Sequence, residues 1–181
     1  MSDFDAVLKL KAGDRSALSD LFAIYATPAV RIAYSFTGSV TVAEDAVQEA
    51  FIQVLRNISS LRDPTAFRPW FYRIVVNAAR RLSRNTHRCL PLNLDEHDKA
   101  DPSAVTPDEA VLEAEEVRQL WQAIALLDEG HRVPIVLRYF IKLSEREIAE
   151  ILGIPPGTVK SRLHTARRML HQRIAGTTKM G

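Results

Sequence analysis

LSEREIAEILGIPPGTVKSRLHTARRML, residues 143–170, predicts two helices joined by a tight turn. Ser144 and Glu147 form a capping box that predicts the start of a helix, and Gly153 supplies the left-handed turn that ends it. Two prolines follow and open a second helix, because proline is favoured in a first helical turn. Apolar residues recur along that helix at helical spacing: Val159, Leu163, Ala166, Leu170 and Ile174. A short capped helix, a tight turn and a longer basic helix together predict a helix-turn-helix, the motif that places its second helix in the major groove of DNA.

Basic residues are concentrated in two stretches that contain no acid. They are Arg68, Arg73, Arg80, Arg81, Arg84 and Arg88 in residues 64–94, and Lys160, Arg162, Arg167, Arg168, Arg173 and Lys179 in residues 151–181. The net charge is +3 over residues 1–85, −6 over residues 86–115 and +5 over residues 116–181. Two basic surfaces separated by an acidic segment indicate a polyanion bound at two places, although two solvated helix faces would give the same count.

Composition divides the chain into three parts. Residues 86 to about 105 are rich in proline and acid and lack helical periodicity, which predicts a flexible linker. As a domain boundary, the acidic linker is taken to extend over residues 86–112. Thr106-Pro-Asp-Glu109 then offers a cap, a proline at the first helical position and a capping-box glutamate, so a new helix is predicted to start there. We therefore predict an all-α protein of two small domains, a helical bundle over residues 1–85 and the helix-turn-helix domain over residues 113–181.

Two helices are predicted in the N-terminal part. Thr41 and Glu44 form a capping box before AEDAVQEAFIQVLRNI, residues 43–58, with an apolar stripe predicted to lie in the core. That stripe is Val47, Phe51, Val54, Leu55 and Ile58. The second helix, FRPWFYRIVVNAARRLSRN, has an aromatic start and a basic tail, a combination that lets single-stranded nucleic acid stack on rings and pair with guanidinium groups. We expect Trp70 and Ile74 to belong to the core instead.

Enzyme and metal motifs are absent from the sequence. There is no glycine-rich phosphate loop, no nucleophile turn and no histidine pair at the spacing of helix-borne ligands. Cys89 is the only cysteine, which excludes an internal disulfide and a cysteine-based zinc site within this chain. No signal peptide and no apolar run of about 20 residues is present. The sequence predicts a cytoplasmic protein without membrane insertion, cofactor, metal or catalytic residue.

These segments resemble the extracytoplasmic-function (ECF) sigma factors of bacteria, in the right order and across nearly the whole chain. The resemblance rests on AEDAVQEAFIQVL, FRPWFYRIVVNAARR, the acidic linker and residues 143–170. It implies an initiation factor that carries core RNA polymerase to promoters and melts the minus-ten element, with residues 1–85 as region 2 and residues 113–181 as region 4. Region 2 would dock on the clamp of the large polymerase subunit through Asp45, Gln48, Glu49 and Phe51. Region 4 would meet the flap.

The resemblance also assigns the DNA contacts. The minus-ten element would be bound by Phe67, Arg73, Asn77, Arg80, Arg81 and Arg84, beside a base pocket formed in part by residues 60–67. The minus-thirty-five element would be bound by Thr158, Lys160, Ser161, Arg162, His164, Thr165, Arg167 and Arg168. Many family members have an aspartate where this chain has Arg81 and an arginine where it has Thr165. An anti-sigma protein, often membrane-anchored, commonly silences such factors.

Two other functions fit the residues. A stand-alone helix-turn-helix regulator would use residues 1–85 to sense a ligand or to dimerise, and would bind duplex DNA tightly without polymerase. A helical adaptor would use its basic faces to bind acidic proteins, with a steep salt dependence and no preference for a DNA sequence.

Overall fold

A computed structural model describes residues 2–86 and 119–177. The acidic linker beyond residue 86 and the helix start predicted at residues 106–109 lie outside the described residues. Within the two described ranges the regular structure is helical and contains no strand, which confirms the all-α prediction. No helix in these ranges is long and apolar enough to cross a membrane.

The N-terminal half is a bundle of four helices around an aromatic core. Its helices are α1 (Asp3–Lys11), α2 (Ala17–Thr37), α3 (Val40–Asn57) and α4 (Phe67–Thr86), with short 3-10 turns at Ile58–Ser60 and Pro64–Ala66. The Phe71 ring is fully buried and lies 4.9 Å from Phe51 and 5.5 Å from Tyr25, centroid to centroid. Packed rings of this kind bury large apolar areas, so they fix α2, α3 and α4 against one another.

The C-terminal half contains the predicted helix-turn-helix. Its helices are α5 (described over residues 119–125), α6 (Glu129–Ile135), α7 (Glu145–Leu152) and α8 (Pro156–Thr177), with a five-residue π-helical turn at Val136–Phe140 after α6. The Ser144 side chain accepts a hydrogen bond from the Glu147 N–H, and Gly153 adopts the left-handed conformation at φ 68°. The capping box and the glycine turn of the motif are therefore confirmed, and α8 begins at Pro156 as predicted.

Three local predictions are wrong. Ser39, not Thr41, caps α3, because Ser39 has the extended backbone of a cap and its side chain accepts from the Val42 N–H. Leu55 and Ile174 were assigned to apolar core stripes, yet both are exposed at the surface. The buried apolar stripes of α3 and α8 are therefore narrower than the spacing of their apolar residues predicts. Val47, Phe51 and Val54 of α3 and Val159, Leu163 and Ala166 of α8 are buried as predicted.

The two halves lie against each other. Helix α7 packs on α4, and α6 with the π-helical turn packs on the C-terminal end of α2. Pro134 lies inside α6, which begins at Glu129 after the break that separates it from α5.

Candidate nucleic-acid interface

Helix α3 presents a mixed polar and apolar face to solvent. Asp45, Gln48, Ile52 and Leu55 are all exposed and recur at the spacing that places residues on one side of a helix. Ile52 is 47% exposed and, together with Leu55, adds an apolar area to this face. This face therefore has the composition of a protein-docking surface. The sequence prediction included its polar members and missed Ile52 and Leu55.

Phe51 does not belong to this surface. It was predicted to bind polymerase, but only 5% of it is exposed and its ring packs against the rings of Phe22 and Phe71. Phe51 lies on the side of α3 that faces the bundle. Val47 and Val54, about one turn away on the same side, are also buried. Phe51 therefore packs beneath the exposed face of α3, and its contact with polymerase stays a prediction.

Glu49 joins the predicted docking face to the predicted DNA face. Its carboxylate forms an ion pair with the Arg81 guanidinium of α4 and accepts a hydrogen bond from the Gln53 amide at 3.2 Å. Arg81 stands where many family members have an aspartate. In this chain the arginine is held by an acid on the neighbouring helix, so its charge is partly compensated.

The outward face of α4 carries most of the predicted minus-ten residues. Arg73, Asn77, Arg81 and Arg84 are exposed, and Arg80 is half-buried. The Arg80 guanidinium lies over the Phe36 ring, 5.4 Å from its centroid. Asn77 lies one turn beyond Arg73 and about one turn before Arg80, so helical spacing places these three on one face.

Phe67, which we predicted to contact the minus-ten element, lies in the core. It is 2% exposed and stacks on the Phe71 ring at 5.8 Å, with the two ring planes 5° apart. A ring buried in this way offers no open face on which a base could stack. Trp70 and Ile74, which we expected in the core, are partly buried and pack against it.

A cavity of about 240 Å³ adjoins the start of α4. It is lined by Asp3, Phe4, Val7, Pro64, Thr65, Phe67 and Arg68. The Tyr25 hydroxyl donates a hydrogen bond to the Asp3 carboxylate at 2.6 Å. Burial, together with that hydrogen bond, raises the pKa of Tyr25 well above its ordinary value, so the hydroxyl stays protonated and keeps donating. Asp3 thus holds a fixed acceptor beside the predicted base-pocket loop, and α1 was not part of the prediction.

Helix α8 presents the predicted minus-thirty-five residues along its solvent side. Lys160, Ser161, His164, Arg167 and Arg168 are exposed, whereas Thr158, Arg162 and Thr165 are half-buried. The Ser161 hydroxyl donates to the Thr158 carbonyl at 3.0 Å, and the Arg167 Nε donates to the Leu163 carbonyl at 3.3 Å.

Arg162 differs from the other arginines of α8. Its guanidinium carbon would lie 3.8 Å from a β-carbon placed on Gly130, so the side chain runs toward α6. It is half-buried, whereas Arg167 and Arg168 are exposed. The contact of Arg162 with the minus-thirty-five element stays a prediction.

Arg132 of α6 is a residue that the sequence did not single out. Its guanidinium donates to the Ser35 carbonyl at 2.7 Å and to the Ala125 and Leu127 carbonyls, both at 2.9 Å. Burial lowers the pKa of Arg132, but an arginine stays charged throughout the physiological range. No sequence signal identifies it, because all three acceptors are backbone atoms.

Two segments of the chain match known protein families. Residues 21–89 match Sigma-70 region 2, and residues 117–170 match Sigma-70, region 4. The ECF RNA polymerase sigma factor SigW of Bacillus subtilis is 34% identical over 93% of this chain and 94% of its own length. The ECF RNA polymerase sigma-E factor of Haemophilus influenzae is 31% identical over 96% of each.

Solved structures agree in fold. CnrH, in complex with the cytosolic domain of CnrY, is similar over 96% of this chain and 97% of its own, with a TM-score of 0.68 and 26% identity. The sigma factor RpoE of Bartonella quintana, in complex with the anti-sigma factor NepR, covers 86% of this chain and 97% of its own, with a TM-score of 0.65 and 20% identity.

Proposed function

The chain belongs to the ECF sigma factors of the sigma-70 family. We propose which of its surfaces bind core polymerase and which bind promoter DNA. It is a promoter-recognising transcription initiation factor and not an enzyme. The alternative of a stand-alone helix-turn-helix regulator is set aside, because the N-terminal half matches a sigma region and not a sensing domain. Region 2 occupies residues 1–85, the linker residues 86–112 and region 4 residues 113–181. One observation supports the proposal above the others: α3, α4 and α8 each present a separate exposed face.

The α3 face docks on core RNA polymerase. Asp45 and Gln48 supply polar contacts, while Ile52 and Leu55 supply the apolar area that a stable protein interface needs at its centre. Glu49 contributes to the same face while it holds Arg81. Region 4 meets the flap of the polymerase.

The α4 face captures the single-stranded minus-ten element. Asn77 has both donors and acceptors for base edges, whereas the arginines on either side attract phosphates. The cavity beside Asp3 and Thr65 receives an unstacked base, with the Asp3 carboxylate as an acceptor at its wall. Phe67 shapes that cavity from inside the core.

The α8 face enters the major groove at the minus-thirty-five element. Lys160, Ser161 and His164 are placed to read bases near the start of the helix, which is the part that helix-turn-helix proteins insert. Arg167 and Arg168 reach phosphates that flank the groove. Thr158 and Thr165 line the half-buried edge of this face.

The factor acts in the cytoplasm, where core polymerase and promoter DNA are found. Two of the similar solved chains were captured with partner proteins, CnrY and NepR. We extend that association to this chain: an anti-sigma protein binds it and covers the α3 and α4 faces.

Run-off transcription tests the proposal. Purified bacterial core polymerase is combined with this protein and with fragmented genomic DNA of its host, and the transcripts are mapped. Defined transcripts that appear only when the protein is added are expected, and their start sites identify both promoter elements. An absence of such transcripts, together with a specific gel shift by the protein alone, would contradict the proposal.

Three variants then separate the faces. Asp45→Ala with Gln48→Ala lowers affinity for core polymerase, whereas Asn77→Ala and Lys160→Ala leave that affinity unchanged and weaken promoter binding. Gln122→Ala, an exposed residue of α5 outside all three faces, is the matched control and changes neither. Unchanged polymerase affinity in the Asp45, Gln48 double variant would remove the docking assignment.

A further inference from the structure

The carboxylate of Glu49 on α3 is held by two side chains, one at each oxygen. The Gln53 amide, one turn further along α3, donates a hydrogen bond to Oε1 at 3.2 Å. The Arg81 guanidinium of α4 donates to Oε2 in an ion pair. The two contacts fix the direction of the carboxylate, because a group held at both oxygens cannot rotate freely. Gln53, Glu49 and Arg81 therefore form a chain of contacts that leads from α3 to α4.

Glu49 is less accessible than its polar neighbours on the docking face. Its side chain is 29% exposed, whereas Asp45 and Gln48 belong to the exposed residues. Ala46, about one turn before Glu49, and Ala50, directly after it, have no exposed surface. Glu49 thus lies at the edge of the docking face where α3 meets the bundle. A carboxylate at this edge is well placed to hold a side chain of α4.

Arg81 extends into solvent beyond its contact with Glu49. Its side chain is 56% exposed, and the contact with Glu49 is made through Nη2, one of the three nitrogens that carry its five N–H donors. Arg81 follows Asn77 by four residues and precedes Arg84 by three, so helical spacing places the three side chains on one face. A strand whose base meets Asn77 would bring a backbone phosphate close to Arg81.

We propose that Glu49 is a positioning residue for DNA binding: it orients the Arg81 guanidinium so that the remaining donors bind a backbone phosphate of the minus-ten strand. The inference rests on the proposed role of α4 in DNA binding. A long side chain loses freedom when it binds a phosphate, and the ion pair with Glu49 restricts that freedom before the strand arrives. Gln53 supports the arrangement because it fixes the carboxylate that holds the arginine.

Glu49 has two opposite effects on the binding of a phosphate. Its negative charge compensates part of the Arg81 charge and repels the phosphate, which weakens binding. Its oxygen keeps the guanidinium in place, and without it the ordering of Arg81 would weaken binding by roughly two- to tenfold. Two substitutions separate these effects. Glu49→Ala removes the charge and the acceptor, whereas Glu49→Gln removes the charge and keeps an amide oxygen that accepts from Arg81.

Promoter binding by the assembled holoenzyme measures the orientation of Arg81. Core polymerase is saturated with each variant and the holoenzyme is isolated, so that a change in affinity for core does not enter the result. Fluorescence anisotropy then follows its binding to a labelled promoter fragment whose minus-ten region is unpaired. We expect Glu49→Ala to bind about threefold or more weakly than the wild type, and Glu49→Gln to bind at least as tightly. Circular dichroism confirms that each variant keeps its helices.

The matched control is Glu44→Ala, which removes an exposed acid from the same helix. It changes the net charge by the same amount as Glu49→Ala but does not weaken promoter binding. A loss in Glu49→Ala with none in Glu44→Ala therefore reports the oriented arginine and not the charge of α3.

An Arg81→Gln background shows whether Glu49 acts through Arg81. Arg81→Gln alone weakens promoter binding and lowers the slope of log affinity against log salt concentration by about 0.7, the value for one phosphate contact to a single strand. In that background Glu49→Ala causes no further loss. Wild-type affinity in Glu49→Ala, a Glu49→Gln variant as weak as Glu49→Ala, or an equal loss with and without Arg81 would each overturn the inference.

Run-off transcription keeps the two proposals apart. A wild type that directs no defined transcripts contradicts the proposed function itself. A wild type that directs them, while Glu49→Ala holoenzyme binds the promoter as tightly as the wild type, refutes only the positioning role of Glu49.

Discussion

Phe51 and Ile52 are adjacent in sequence and lie in opposite environments. Phe51 packs into the aromatic core between α2 and α4, while Ile52 is exposed on the docking face. Phe51→Ala therefore lowers the free energy of unfolding by about 3–5 kcal/mol, because it leaves a cavity among packed rings. Ile52→Ala changes that free energy by less than about 0.5 kcal/mol and weakens polymerase binding.

Urea denaturation of the full chain and fluorescence anisotropy with core polymerase measure the two effects. Asn57→Ala, at the exposed end of α3 and on another side of the helix from the docking face, controls for general changes in helix propensity. A stable Phe51→Ala variant that no longer bound polymerase would mean that the ring is a direct contact after all.

The environment and contacts of some single residues could not be predicted from the sequence. Periodicity places Leu55 and Val54 on one stripe, but the bundle covers only a narrow part of α3 and leaves Leu55 in solvent. Arg68 and Arg132 stand out even less, because their partners are carbonyl groups that every residue possesses. The pattern of side chains indicates which face of a helix is apolar. Which atoms that face contacts depends on how the helices pack against one another.

Helix ends are the part of the structure that was most predictable, since their chemistry is local. The Ser144–Glu147 box and the Gly153 turn were predicted from a few residues and are confirmed. The start of α3 was misplaced because two hydroxyl residues compete there, and Ser39 adopts the extended backbone that a cap requires.

The α7 cap supplies a prediction at the scale of the element. Ser144→Ala removes the acceptor for the Glu147 N–H and lowers the free energy of unfolding by about 0.5–2 kcal/mol, whereas Ser144→Thr retains the hydroxyl and most of the stability. Burial raises the pKa of Glu147, but the hydrogen bonds from the Ser144 hydroxyl and N–H outweigh it and hold the pKa below its usual value. A lowered pKa in the folded protein stabilises the fold above the ordinary pKa of glutamate, about 4.3, and this contribution is lost as pH falls through the lowered value.

Chemical unfolding at a series of pH values checks this prediction. The stability difference between the wild type and Glu147→Gln is largest near neutral pH and narrows below pH of about 4.3, as the carboxylate takes up its proton. A difference that stayed constant down to pH 3 would show that the carboxylate charge contributes nothing to the cap.

At the scale of the whole molecule, the sequence indicated two basic surfaces on two helical parts, and both parts are helical in the structure. The charge pattern contained no information on how the parts are arranged. From the charge pattern, Arg73 and Arg80 are predicted to be free for DNA. In the structure, Arg73 donates a hydrogen bond to the Glu150 carbonyl of α7, and Arg80 lies 4.0 Å from the Glu129 carboxylate of α6. These contacts depend on how the helices pack in three dimensions, which the order of charges along the chain does not reveal.

The minus-ten and minus-thirty-five elements are separate parts of a promoter, so we expect the proposed contacts of α4 and α8 to act independently. Asn77→Ala and Lys160→Ala each cost about 1–3 kcal/mol of promoter binding by the holoenzyme, and the double variant costs their sum within about 0.5 kcal/mol. Filter binding on a promoter mapped by run-off transcription measures all four proteins. A double variant that lost much less than the sum would mean that the two faces are energetically coupled in the promoter complex, which would contradict independent binding.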